Sequence, residues 1–150
     1  MFQVPVKTQY AIRALVHLAR QGEDSAARIA EAQMISPKYL EGILGQLKAA
    51  GIVVSGRGRM GGYRLAKEPG QVPMLEVVEA TEGEVRPVDC LDSAASCLLG
   101  GSCMPRKFWL GLKSAVDAYL SSISLGDLAD EHFAEASMGQ GDPPGKGNSK

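Results

Sequence analysis

The sequence predicts a mostly α-helical chain with one small β-hairpin, and three observations predict it. Apolar residues recur every three or four positions over several separate stretches, the mark of helices that each bury one face. One short β-branched run leads into a glycine-rich tip and an alternating return, the mark of a hairpin. At 150 residues, with 45% hydrophobic and 22% charged, the chain is long enough and apolar enough for a real core.

The first helix is expected in "TQYAIRALVHLARQG", where Ala11, Ala14, Leu15, Leu18 and Ala19 form one stripe and Gly22 lies beyond its end. His17 lies off that stripe and reads as a surface or packing residue. A second, short helix follows in "SAARIAEAQ", with Ser25 as N-cap and Ala26, Ile29 and Ala30 inward. The third, "SPKYLEGILGQLKAAG", has Ser36 as N-cap, Pro37 at its first position and Gly51 as its stop. Leu40, Ile43, Leu44 and Leu47 face inward, while Gly42 and Gly45 weaken this helix by about 1 kcal/mol each relative to alanine. Two helices joined by a tight turn, the second opening with polar residues, form a helix-turn-helix.

"IVVSGRGRMGGYRL" then reads as the hairpin, with Arg57 and Arg59 at a glycine-rich tip whose backbone can approach another surface closely. A nucleotide-phosphate loop is the competing reading and is discounted, because no GK[ST] follows and no helix begins there. "MLEVVEATEG" predicts a fourth helix burying Leu75 and Val78, with Val77. From Gly83 to Cys103 no period appears, and an aperiodic connection of that length is usually functional or disordered.

Pro105 starts the next helix, in which Trp109, Leu112, Val116, Tyr119 and Ile123 recur at spacings of three, four, three and four. That is a heptad seam, suited to a partner helix, and because helix-turn-helix proteins usually act as dimers it predicts a homodimer contact. An ordinary core helix is the competing reading. Ser124 and Asp127 make a capping-box-like start for a last short helix through Leu125 and Leu128, and the tail 136–150 is expected to be disordered. The domain division is therefore 1–82 as a winged helix-turn-helix, 83–104 as a cysteine loop, and 105–135 as a long dimerisation helix with a short C-terminal helix.

The net charge of −1 conceals a division. Residues 1–67 carry ten basic against four acidic residues (+6), and the remainder six against thirteen (−7). A basic half joined to an acidic half suggests a polyanion-binding module with a second, separate module, and double-stranded DNA is the polyanion a winged helix-turn-helix would bind. Ser36, Lys38, Tyr39 and Glu41 stand where a recognition helix meets the major groove. Ser36 and Lys38 suit phosphate, whereas Glu41 suits the N4 donor of cytosine. Arg57 and Arg59 suit a narrow minor groove, where the potential is most negative. No stretch approaches the roughly 18 apolar residues of a membrane span, and a cytoplasmic protein is expected.

All three cysteines lie in "CLDSAASCLLGGSC": Cys90, Cys97 and Cys103. In a reducing compartment three clustered thiols argue for metal or redox chemistry rather than disulfides. Zinc sites usually use tighter Cys-x-x-Cys pairs. The wider loop, with Ala94, Ala95, Gly100 and Gly101, suits a larger iron–sulfur cluster, while reactive thiols for redox sensing remain equally open on spacing alone. A cysteine enzyme lacks a base, since only His17 and His132 exist and neither is near the loop in sequence.

The recognition helix "ISPKYLEGIL", the wing "GRGRMGGYRL", the three cysteines and the "FW" helix, in this order, resemble the IscR, NsrR and RirA type of winged-helix iron–sulfur transcription regulator. That resemblance implies Cys90, Cys97 and Cys103 as ligands of a 2Fe-2S or 4Fe-4S cluster, Glu41 as a base reader and Arg57 as a minor-groove contact. It further implies a dimer formed through the long helix, a repressor reading an imperfect palindrome, and DNA binding controlled by cluster state. One departure is clear: IscR-like members carry a histidine three residues after the last cysteine, where this chain has Arg106, and an arginine stays protonated. NsrR-like members use an acid early in the first helix, and the matching position here is Gln9. The fourth ligand is thus open, with Gln9, Asp89, Asp92, a small molecule or a labile position as candidates.

Overall fold

The computed structural model describes residues 3–56, 61–91, 99 and 102–130. Helices α1 (Val6–Gln21), α2 (Ala26–Gln33) and α3 (Pro37–Ala49) are followed by a hairpin of β1 (Val53–Ser55) and β2 (Tyr63–Leu65). Then come a short 3₁₀ turn (Pro69–Gln71), α4 (Met74–Glu82), a second turn (Asp89–Leu91), α5 (Arg106–Ser122) and α6 (Leu125–Ala129).

The local signals act as the sequence suggests. Ser25 accepts the Arg28 N–H and so caps α2, and Gly51 follows α3 at φ 76°, a left-handed conformation that glycine adopts without Cβ strain. The hairpin is antiparallel, pairing Val53 with Leu65, Val54 with Arg64 and Ser55 with Tyr63. Between α2 and α3, Met34 holds φ 56° with its side chain 89% exposed, so the helix-turn-helix bend uses an ordinary residue in the left-handed region.

The core joins Ala11, Ala14, Leu15 and Leu18 of α1 to Ile29 and Ala30 of α2 and to Leu40, Ile43, Leu44 and Leu47 of α3, closed by Ile52, Val53, Val72, Met74, Val77 and Leu125. α4 is rotated from its expected phase. Met74, Val77 and Thr81 are buried, whereas Leu75 and Val78 are only half-buried. The cause is a polar pair: Thr81 and Thr8 share a hydroxyl–hydroxyl bond of 2.8 Å, which lets two threonines occupy the α1–α4 contact.

Ser124 and Asp127 form a full capping box, with Asp127 N–H donating to Ser124 Oγ at 3.1 Å and Ser124 N–H to Asp127 Oδ2 at 2.8 Å. Leu125, completely buried, brings α6 into the core of residues 1–82 rather than leaving it an appendage of α5. Met74 N–H donates to Ile123 O and Leu125 N–H to Val72 O, both at 2.8 Å, and stitch the two segments together. Gly126 is required by this approach, because a Cβ there would sit 2.9 Å from Gly70 N.

None of the seventeen residues of α5 is fully buried within the chain, although Trp109, Leu112, Val116 and Leu120 are half-buried. Its end is docked, since Leu120 and Ile123 pack against the core, while Tyr119 is 61% and Phe108 65% exposed. The tail 136–150 lies outside the described residues, and among the described residues no helix is long and apolar enough to cross a membrane.

Candidate nucleic-acid interface and thiol site

Ser36, Lys38, Tyr39 and Glu41 are all exposed at the first turns of α3. Ser36 occupies the N-cap with an extended backbone (φ −56°, ψ 130°), yet its hydroxyl makes no capping bond and stays available to a phosphate. Tyr39, 43% exposed, stands edge-on to Tyr10 of α1 with ring centroids 5.8 Å apart. Arg13 lies 5.4 Å over the Tyr10 ring and donates to the Gln33 carbonyl, so Tyr39 is braced from α1.

Glu41 opens onto a groove of about 500 Å³ that also borders Ser25 at the start of α2 and Ser55, Gly56 and Gly62 at the base of the hairpin. Helix α3 and the wing therefore frame one surface. Arg57 and Arg59, assigned to the tip, lie outside the described residues.

A hub that sequence reasoning missed fixes the wing to the helices. Asp24 exchanges two backbone bonds with Tyr63 (3.1 and 2.8 Å), while its carboxylate accepts from Ser25 N–H at 2.9 Å, meets His17 Nε2 at 2.9 Å and faces Arg28 Nε at 3.4 Å. His17 is accordingly a packing residue with a partner. The signal was present only as an acid just before a capping serine, a common surface pattern. The His17 bond holds the Asp24 carboxyl below the ordinary carboxylate range against the opposing effect of burial, with Ser25 N–H and Arg28 adding to it.

A group depressed in this way stabilises the fold above its unfolded value, and that contribution is lost as pH falls through the folded value. Asp24→Asn is expected to lower stability at neutral pH, by a difference from wild type that shrinks as pH falls below about 4 and toward the depressed folded value. Urea unfolding of both proteins between neutral and acid pH checks this; curves that stay parallel throughout would contradict it.

Cys90, in the turn Asp89–Leu91, and Cys103, just before α5, are free and half-buried. Arg106, the first residue of α5, connects them: its Nη1 donates to Cys90 O at 3.0 Å and its backbone N–H to Cys103 O at 3.2 Å. Asp89 is exposed beside Cys90, and Gln9 is exposed on α1, its amide donating to Val4 O at 2.8 Å. Cys97 and Asp92 lie outside the described residues, among which no three His, Cys, Asp or Glu side chains converge on one point. The donor chemistry nonetheless fits iron, since cysteine sulfur is the ligand type of iron–sulfur clusters and Cys90 and Cys103 stand on either side of one connection. Farther along α5, Lys113 pairs with Asp117 at 2.7 Å and Glu84 at 3.2 Å, and the Asp117 bond, with Glu84, pushes the ammonium group above its usual range.

Together the bundle, the wing and the recognition helix define a winged-helix DNA-binding protein with a cysteine-bearing connection to a long helix. The model of the Rrf2 family, described as iron-dependent transcriptional regulators, matches residues 4–131, and the chain belongs to that family. It is 32% identical over 139 residues to the HTH-type transcriptional regulator IscR of Photobacterium profundum, covering 91% of this chain and 80% of that protein. Among solved structures it is similar to CymR (YrzC), the global cysteine regulator of B. subtilis, with a TM-score of 0.71 and 31% identity over 86% of this chain and 97% of that one. It is likewise similar to IscR of T. potens, with a TM-score of 0.68 and 28% identity over 95% of this chain and 94% of that one. The expected IscR-type resemblance and the winged-helix fold are borne out. The chain is a DNA-binding transcriptional regulator and not an enzyme.

Proposed function

We propose that this chain is a cytoplasmic, homodimeric repressor whose Cys90, Cys97 and Cys103 hold a 2Fe-2S or 4Fe-4S cluster, with the fourth position supplied by Gln9, Asp89, Asp92 or a small molecule. Residues 1–82 bind DNA, 83–104 carry the ligands, and 105–135 supply the dimer helix and the short helix after it. The observation that carries this reading is the attachment of Cys90 and Cys103 to the N-terminal end of α5, a helix with no fully buried residue in the single chain and with Phe108, Leu110 and Tyr119 exposed. A cluster bound there would supply iron that oxygen, nitric oxide or iron limitation can remove. Occupancy at the thiols regulates DNA binding only if it favours one arrangement of the two recognition helices over another.

In this reading Ser36 and Lys38 hold phosphate, Tyr39 contacts the groove edge, Glu41 reads a base, and Arg57 and Arg59 enter the minor groove of an imperfect palindrome. Anisotropy titrations on such an operator across a salt series test it. Arg57→Ala should weaken binding to all sequences and lower the salt slope by about 1, while Glu41→Ala should relax preference at one base pair by about 1–3 kcal/mol. Unchanged affinity and slope for Arg57→Ala would remove the wing, and unchanged base preference for Glu41→Ala would remove the base reader.

The similarity to a global cysteine regulator favours a second reading, in which the thiols respond directly to oxidation or a protein partner and no cluster forms. Iron-free protein with intact operator binding would support that alternative.

A further inference from the structure

Arg106 has no place in the proposed ligand set, yet it touches both described cysteines. Its side chain donates to Cys90 O at 3.0 Å and its main chain to Cys103 O at 3.2 Å, so one residue ties together the two edges of the loop. Lys113, two turns farther along the same face of α5, reaches back to Glu84 at 3.2 Å. Two cations on one helix thus hold the strap from Glu84 to Cys90 along α5, through charge-assisted bonds roughly twice as strong as neutral ones.

We propose that Arg106 is a positioning residue that sets the separation of the Cys90 and Cys103 thiols before any metal arrives. An arginine suits this role because it is always charged, presents its donors in a rigid fork and does not itself bind metal. With the two edges tied during folding, the entropy of closing the loop is lost then and not when a ligand binds. The proposal rests on the cluster reading for its purpose, but its test does not need a cluster.

The test uses the full chain carrying Cys97→Ala, metal-free and reduced, in which Cys90 and Cys103 are the only thiols left. Dibromobimane, which fluoresces fully only when both of its ends have reacted, reports how fast those two thiols are bridged. Adding Arg106→Ala should slow bridging about tenfold, the factor expected for loss of a hydrogen bond from a charged donor, while the unfolding midpoint of the helical core hardly moves. Arg106→Lys, which keeps the charge and one donor, should fall between the two and decides the matter alone if the alanine variant does not fold. Bridging at the unsubstituted rate in both variants would overturn the proposal. If the wild-type chain binds no iron but bridging still depends on Arg106, the cluster reading fails and the positioning role stands.

Discussion

Leu44→Ala is expected to lower the unfolding free energy by about 3 kcal/mol, within the roughly 2–5 kcal/mol typical of a buried leucine truncated to alanine. Leu44 is fully buried in the core that joins α3 to α1 and α4, and it lies on the inner face of the helix whose outer face carries Lys38 and Glu41. A domain of this size is stable by only about 5–15 kcal/mol, so this one change removes a large share. The midpoint of thermal unfolding should drop by about 10 °C, and operator affinity should fall as the recognition helix loses its support. Gln46→Ala, exposed on the same helix, is the matched control and should shift stability by less than about 0.5 kcal/mol. Equal melting of the two variants would mean that the packing described for α3 is wrong.

Tyr119→Glu should leave the single chain almost as stable as before and yet strongly weaken the proposed dimer. Tyr119 lies on the apolar seam of α5 and is 61% exposed, so within one chain its replacement disturbs little packing. In a symmetric dimer the same residue meets its counterpart surface, and two unpaired carboxylates would be desolvated together. A cost of about 2–5 kcal/mol for burying such a charge predicts a dimer affinity lower by a factor of about 30 or more. Sedimentation velocity reads that directly. Binding to the full palindrome should collapse toward that of one half-site, because the second half-site no longer benefits from the first. A variant that stays dimeric with unchanged operator affinity would move the interface off this face of α5.

The DNA-binding half was legible because its signals are local. Ser25, Pro37 and Gly51 mark helix ends by backbone chemistry, and the spacing of Leu40, Ile43, Leu44 and Leu47 specifies a face without reference to anything distant. The phase of α4 was misread because hydropathy ranks valine and leucine above threonine, whereas the Thr8–Thr81 bond makes two hydroxyls acceptable in the core. The burial of Leu125 could not be read either, since it depends on a return of the chain to Val72. At the site, exposed Lys38 and Glu41 followed from helix position. The contact of Arg106 with Cys90 joins a side chain to a main-chain carbonyl sixteen residues away, and such bonds leave no residue-type pattern to read. The Asp24 hub is hidden for the same reason, because half of it is backbone pairing with Tyr63.

The proposed mode of sensing depends on the three thiols holding an iron–sulfur cluster. Anaerobic purification, a visible absorption spectrum, and counts of iron and acid-labile sulfide per chain test it most directly, on the wild type and on Cys97→Ala. Cluster ligation by these thiols predicts coloured wild-type protein with matched iron and sulfide, and a colourless variant whose iron content is lower by about tenfold or more. Wild-type protein that is colourless and free of iron under the same handling would contradict it, leaving the winged-helix half intact and the sensing mechanism to the thiols themselves.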